Sequence, residues 1–153
     1  MKHLLISLFL LSSLLAQIPK IDNEKWNVLQ DDDIWIGYTQ VDFPLCKSMI
    51  EINYSIDDIL SIIEDINNYY KIFDSVTLSN LYEGDVVHII FDMPIPFSDR
   101  DYIVKFKKYK DNLDTVYGFK TDEILSKKDL GRPVRLTNAQ GEWRLIPLGS
   151  KHT

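Results

Sequence analysis

Residues 86–106 read VVHIIFDMPIPFSDRDYIVKF, and the alternation inside this stretch decides the fold. Successive side chains of an extended strand point to opposite sides, so Val87, Ile89, Phe91 and Met93 share one face and Val86, His88, Ile90 and Asp92 the other. The uniformly apolar set must point to an interior. Pro94 and Pro96 fix φ and have no N–H to give a ladder, so the strand has to end there. Asp99, Arg100 and Asp101 are then left at a corner, where the arginine between two carboxylates reads as an ion pair holding the corner shut. Alternation resumes at once with Tyr102, Val104 and Phe106 against Lys105 and Lys107. The stretch predicts two half-buried strands joined by a proline-rich corner.

Working outward, further strand-like runs occupy 76–82, 113–121 and 134–148, the last with a Gly141 that suggests a bulge or turn. Tyr117 and Phe119 extend the inward face on one of these runs, Trp143 and Leu145 on another. The connections Glu83-Gly84-Asp85 and Lys110-Asp111-Asn112 are of hairpin length, which predicts consecutive antiparallel pairing. Upstream, Ser55 is an N-cap with Asp58 three residues on, and Ile56, Ile59, Leu60, Ile63, Ile66, Tyr70 and Phe73 recur at helical steps. That predicts one amphipathic helix. Before it, Trp26 and Leu29 suggest a short helical opening, Asp31-Asp32-Asp33 a solvated turn, and Ile34, Ile36, Tyr38 and then Ile50, Ile52, Tyr54 two strands. Helix, strands, amphipathic helix and meander together make the chain α+β.

Composition limits the chemistry. The 153 residues carry 17 Lys+Arg against 23 Asp+Glu, and with 45% apolar and 26% charged residues they suit a single globular domain. Net acidity without a basic cluster removes the electrostatic footprint of phosphate-backbone binding, so no nucleic-acid partner is expected. Cys46 stands alone, which excludes an intrachain disulfide and a thiolate zinc cage. Of the three histidines, His3 is near the start, His152 is penultimate, and only His88 lies in the body of the chain. No metal and no cofactor is expected.

The first residues, MKHLLISLFLLSSLLAQIPK, place Lys2 before an apolar run that ends by Gln17. This run is too short for the ~20 apolar residues of a membrane span and reads as a signal peptide over residues 1–16, cleaved near Ala16. The protein is therefore expected to be exported, periplasmic or secreted, with residues 21–153 as one domain.

Four segments in order resemble the START (StAR-related lipid-transfer) domain. Met93 to Tyr102 resembles that family's P-x-P-x-x-x-R-D-[YFV] segment, and Trp26 to Leu29 followed by Ile34 to Thr39 its first strand. Asp65 to Tyr69 is similar to the family's helix end, and Gly141 to Pro147 to its G-x-W-x-L-x-P strand. The resemblance implies a helix-grip fold: a curved antiparallel sheet gripping a long C-terminal helix, with an apolar tunnel for one lipid. No apolar-periodic segment after Pro133 is long enough to be that helix, so the domain is expected to be incomplete at its C-terminus. Sterol-binding relatives carry a basic residue six positions after the motif arginine, where this chain has Phe106. Acyl chains or isoprenoids fit such a wall better than a sterol.

The function so implied is non-catalytic binding or transfer of one lipid or other hydrophobic molecule, with transient membrane contact. The cavity is expected to be lined by Ile59, Ile63, Ile89, Phe91, Met93, Tyr102, Val104, Phe106, Tyr117, Phe119 and Trp143, and the corner to be locked by Asp99, Arg100 and Asp101. The alternative is an enzyme of the same superfamily, a cyclase or hydrolase with a hydrophobic substrate. It needs an inward acid or base, for which Tyr102 and Tyr117 are candidates, or His88 and Asp92 if the register is shifted by one.

Overall fold

The computed structural model describes residues 25–40, 43–127, 133–149 and 153. The expected signal peptide lies outside the described residues. A three-stranded antiparallel sheet comes first, of β1 (Asn27–Asp31), β2 (Ile34–Gln40) and β3 (Pro44–Ile50) in that order. The opening is thus a strand and not the expected helix. Asp32 explains the reversal: its carboxylate accepts from the Gln30 side chain at 2.7 Å and from the Ile34 N–H at 3.5 Å, turning the chain back so that Val28 pairs with Gly37. The next strand also lies earlier than its alternation suggested. β3 ends at Ile50, and Ile52 instead exchanges backbone hydrogen bonds with Thr153, at 2.7 and 2.9 Å.

The amphipathic segment starts as expected and then breaks. α1 (Ile56–Ile63) opens on Ser55, whose hydroxyl accepts from the Asp58 N–H while the Asp58 carboxylate accepts from the Ser55 N–H. A 3₁₀ turn (Ile66–Asn68) and a short α2 (Tyr69–Ile72) follow. Asp65, Asn67 and Asn68 break the helix because their side chains offer the backbone and one another local partners. The Asn68 amide donates to the Asp65 carboxylate, and the Asn67 side chain accepts from the Leu81 N–H on the neighbouring strand.

The main sheet contains β4 (Val76–Glu83), β5 (Val86–Phe91), β6 (Arg100–Asp111), β7 (Asp114–Thr121), β8 (Val134–Arg135) and β9 (Gln140–Leu145). Its order is β4-β5-β6-β7-β9 with antiparallel neighbours. The run expected as one strand over 134–148 is two. The first part, β8, is the exception to antiparallel pairing and runs parallel to the start of β6, Arg100 opposite Val134. The predicted hairpins are present, and each turns on a residue of positive φ: Gly84 at 62° and Asn112 at 56°. Register irregularities in β4 bend the sheet edge, and the sheet as a whole is curved.

Both apolar clusters sit on the concave side. One joins Tyr69 and Val76 to Val87, Ile89 and Val104; the other joins Leu60 and Ile63 of α1 to Tyr117 and Leu145. The Tyr69 hydroxyl donates to the Ile63 carbonyl, tying α2 to the end of α1. Burial, with Tyr117, Asp65 and Glu64 close by, pushes that phenol well above its usual range, so it stays a donor.

Candidate functional site

Register places the expected lining residues. Val87 faces Val104 and Ile89 faces Tyr102 across β5 and β6; Phe106 faces Phe119 across β6 and β7; Tyr117 faces Trp143 across β7 and β9. Residues opposite one another share a face, so these side chains form one concave apolar surface. Phe106 is its centre, stacked on Tyr117 at 5.0 Å and in contact with Phe119 at 5.8 Å and Tyr69 at 6.4 Å. Phe91 and Tyr102 meet edge to face at 5.1 Å, and Phe73 stacks on Trp143 at 5.9 Å.

Helix α1 covers one end of this surface with Leu60 and Ile63, and Ile59 packs at the margin. Val87, Ile89, Val104 and Tyr117 are buried, and the remaining members are incompletely covered. Phe91, Tyr102, Phe106 and Phe119 are half-buried, and Trp143 is 41% exposed. Met93 lies beyond the end of β5, half-buried, with its N–H donating to the Asp99 carboxylate at 3.3 Å. A separate open depression of about 310 Å³ is bounded by Asn67, Tyr70 and residues 77–80, away from the aromatic surface.

The phenols of Tyr102 and Tyr117 are both pushed upward by burial, Tyr117 also by Glu64. Neither is thereby suited to give or take a proton at neutral pH. His88 and Asp92 stand elsewhere. His88 pairs with Ile103 on the opposite, convex side, and Asp92 is exposed at the end of β5 with its N–H donating to the Ser75 carbonyl.

The corner is built differently from the expected Asp99–Arg100–Asp101 ion pair. Asp101 is fully buried on the convex side and pairs with Arg135, whose Nε and Nη2 donate to Oδ1 at 2.8 Å and Oδ2 at 2.6 Å. His88 Nε2 lies 2.8 Å from Oδ2 as well. Burial alone would raise the Asp101 carboxyl, but the hydrogen bonds and charge of Arg135 and His88 hold it below its usual value. Arg100 follows the opposite strand parity and shares the concave face with Phe91. Its Nη1 donates to the backbone carbonyls of Ser98 and Asp99. Alternation alone separates Arg100 from Asp101. The Arg135 partner was invisible because parallel pairing of β8 brings it from 34 residues away.

Charges on the concave side gather at its ends. Lys108, two positions beyond Phe106, pairs with Glu64 at 2.6 Å, and Lys110 donates to the Thr115 hydroxyl at 2.5 Å. On the convex side Arg144 links Asp111, Asp114 and Glu142 at 2.9 to 3.0 Å, and these carboxylates raise its already high pKa against the effect of burial. Among the described residues no His, Cys, Asp and Glu group is arranged to hold a metal ion.

No protein-family model and no curated protein matches the chain. Solved structures do. A STAR-related lipid transfer protein from Xanthomonas axonopodis superposes with a TM-score of 0.70 at 19% identity, over 83% of this chain and 76% of that one. The human StarD13 lipid transfer and protein localization domain gives 0.67 at 14% identity, over 84% and 70%. With its curved sheet, its aromatic concave face and these neighbours, the chain has a START-like fold.

Proposed function

We propose that the protein binds and transfers a single lipid or other hydrophobic molecule, without chemical conversion, against the concave face of the main sheet. The observation that carries this reading is the continuous aromatic surface centred on Phe106 and running from Phe91 to Trp143, part of which remains accessible. Covering such a surface with an acyl or isoprenoid chain contributes about 0.8 kcal/mol for each methylene removed from water. The named lipid-transfer neighbours support the same reading through the fold they share with this chain.

The reading extends to where the protein works. A leader over residues 1–16 would export it to the periplasm or outside the cell, and carriage through water is the service an apolar ligand needs there. The 94–98 corner provides for brief membrane contact: Ile95 is 96% exposed and Phe97 59%, on a segment constrained by two prolines.

Native mass spectrometry of delipidated protein offered acyl lipids, isoprenoids and sterols tests the proposal. One bound lipid per chain, with acyl or isoprenoid species ahead of sterols, is expected. Uniformly empty spectra would overturn it, and turnover of a bound species abolished by Tyr102→Phe or Tyr117→Phe would replace it with the enzymatic alternative.

A further inference from the structure

We infer that the ligand is an anionic amphiphile whose carboxylate or phosphate is received by Arg100 while its apolar chain runs over the partly accessible Tyr102 and Phe106, with Val104 buried between them. This rests on the lipid-binding reading and names the class of lipid.

Arg100, Tyr102, Val104 and Phe106 alternate along β6 and occupy one face of it, so a cation stands at the head of an apolar row. At about 3.3 Å per residue the row is roughly 20 Å long, the scale of a long acyl chain. Arg100 is not committed to a carboxylate. The Asp101 beside it is on the other face and saturated by Arg135 and His88, and Asp99 accepts from the Met93 N–H. Arg100 is fixed through Nη1 alone, to the carbonyls of Ser98 and Asp99. A guanidinium has five N–H donors in a fork, and the Nε and Nη2 edge left over is the one that grips a carboxylate or phosphate with two parallel bonds. Anchoring by Nη1 orients that edge before the ligand arrives and lowers the ordering cost of binding.

The other concave cations are differently disposed. Lys108 is neutralised by Glu64, and Lys110 sits farther along the strand, bonded to Thr115. Of the concave positions on β6, Arg100 therefore combines charge, orientation and contact with the apolar row. Through Nη1 it is bonded to the carbonyl of Ser98, the residue after the exposed Phe97, so a headgroup held there stays close to the corner proposed to meet the membrane.

The test compares oleate with oleyl alcohol, which share a chain and differ in charge, using full-length protein below the concentration at which either probe aggregates. Wild type should bind oleate at least tenfold more tightly. Arg100→Met should remove that preference and leave oleyl alcohol within threefold of wild type, Arg100→Lys should retain part of it, and Lys108→Met should retain all of it. Oleoyl lysophosphatidate against free inorganic phosphate separates a lipid headgroup from a simple anion: binding of the lipid alone is expected. Equal wild-type binding of oleate and the alcohol overturns the inference and leaves the lipid-binding reading standing. So does a preference that survives Arg100→Met, one lost with Lys108→Met, or competition by inorganic phosphate alone. Absence of binding by both probes overturns the two together. Unchanged near-ultraviolet dichroism of Arg100→Met guards against misfolding, and a variant that fails it is replaced by Arg100→Gln under the same criteria.

Discussion

Asp101 illustrates how much one buried charge depends on its partners. Leaving it in place without Arg135 removes two of its hydrogen bonds and leaves His88 to hold a carboxylate in a site closed to water; breaking a buried charge pair in this way costs about 3–5 kcal/mol in comparable cases. Arg135→Met is therefore expected to lower the urea midpoint severely. Arg100→Met, which disturbs only contacts to the backbone carbonyls of exposed Ser98 and half-buried Asp99, should cost less than about 1 kcal/mol. Equal losses would show that the corner depends on both arginines. The same pair sets a pH dependence. The folded-state pKa of Asp101 lies below its unfolded value of about 3.9, so its contribution is fully present above that value and is lost as pH falls through the folded one. Acid titration of stability should show wild type weakening steeply below about pH 4, while Asp101→Asn, less stable at neutral pH, gives a flatter profile in that window.

At the level of elements, β7 and β9 meet at a glycine for a steric reason. Phe119 lies opposite Gly141, and a Cβ added there would come within 2.5 Å of the phenyl ring. Gly141→Ala should therefore displace Phe119 from the aromatic surface, costing about 1–3 kcal/mol and weakening lipid capture. Gly118→Ala on the adjacent strand meets only ordinary contacts at 3.8 Å and should be neutral or slightly stabilising, because glycine is a poor strand residue. Thermal unfolding and the lipid assay on the two variants separate a packing effect from a general effect of glycine loss. The strands of the main sheet were legible because period-two alternation in β5 and β6 has a single way to bury its apolar side. Ser55 and Asp58 were legible because a capping box is local. The break after α1 was not: Ile66, Tyr70 and Phe73 keep helical spacing, and what stops the helix is side-chain bonding by Asp65, Asn67 and Asn68, including a bond to β4 that no local pattern reports. β1 differs from its expected helix for a related reason, since Trp26 and Leu29 fit a helical step whereas pairing of the segment with β2, Asn27 with Tyr38 and Gln30 with Ile36, decides its conformation.

For the molecule as a whole, the concave surface was legible through strand parity, which placed Phe91, Val104, Phe106 and Phe119 together, whereas its degree of cover depends on how α1 and α2 cross it. α1 joins the Tyr117 and Leu145 end, against which Phe106 also packs, and α2 packs through Tyr69 against Phe106 and Phe73, while Trp143 is left exposed beside Phe73. That exposure supplies an optical reporter. The chain has three tryptophans, and Trp26 and Trp35 contact each other at 5.8 Å, with Trp35 belonging to the separate three-stranded sheet. A double variant, Trp26→Phe with Trp35→Phe, leaves Trp143 as the single emitter. A lipid settling against the concave face would replace water around that indole with hydrocarbon, so its emission should move to shorter wavelength and become harder to quench with iodide. Trp143→Phe, which keeps the other two, should show little change on the same addition. The bound state should also be more stable, by about 2.7 kcal/mol at a hundredfold excess of free lipid over Kd, which raises Tm by several degrees for a chain of this size. A blue shift arising from the Trp26 and Trp35 pair while Trp143 stays unchanged would move the binding surface to the other sheet, and with it the argument built on Arg100 and Phe106.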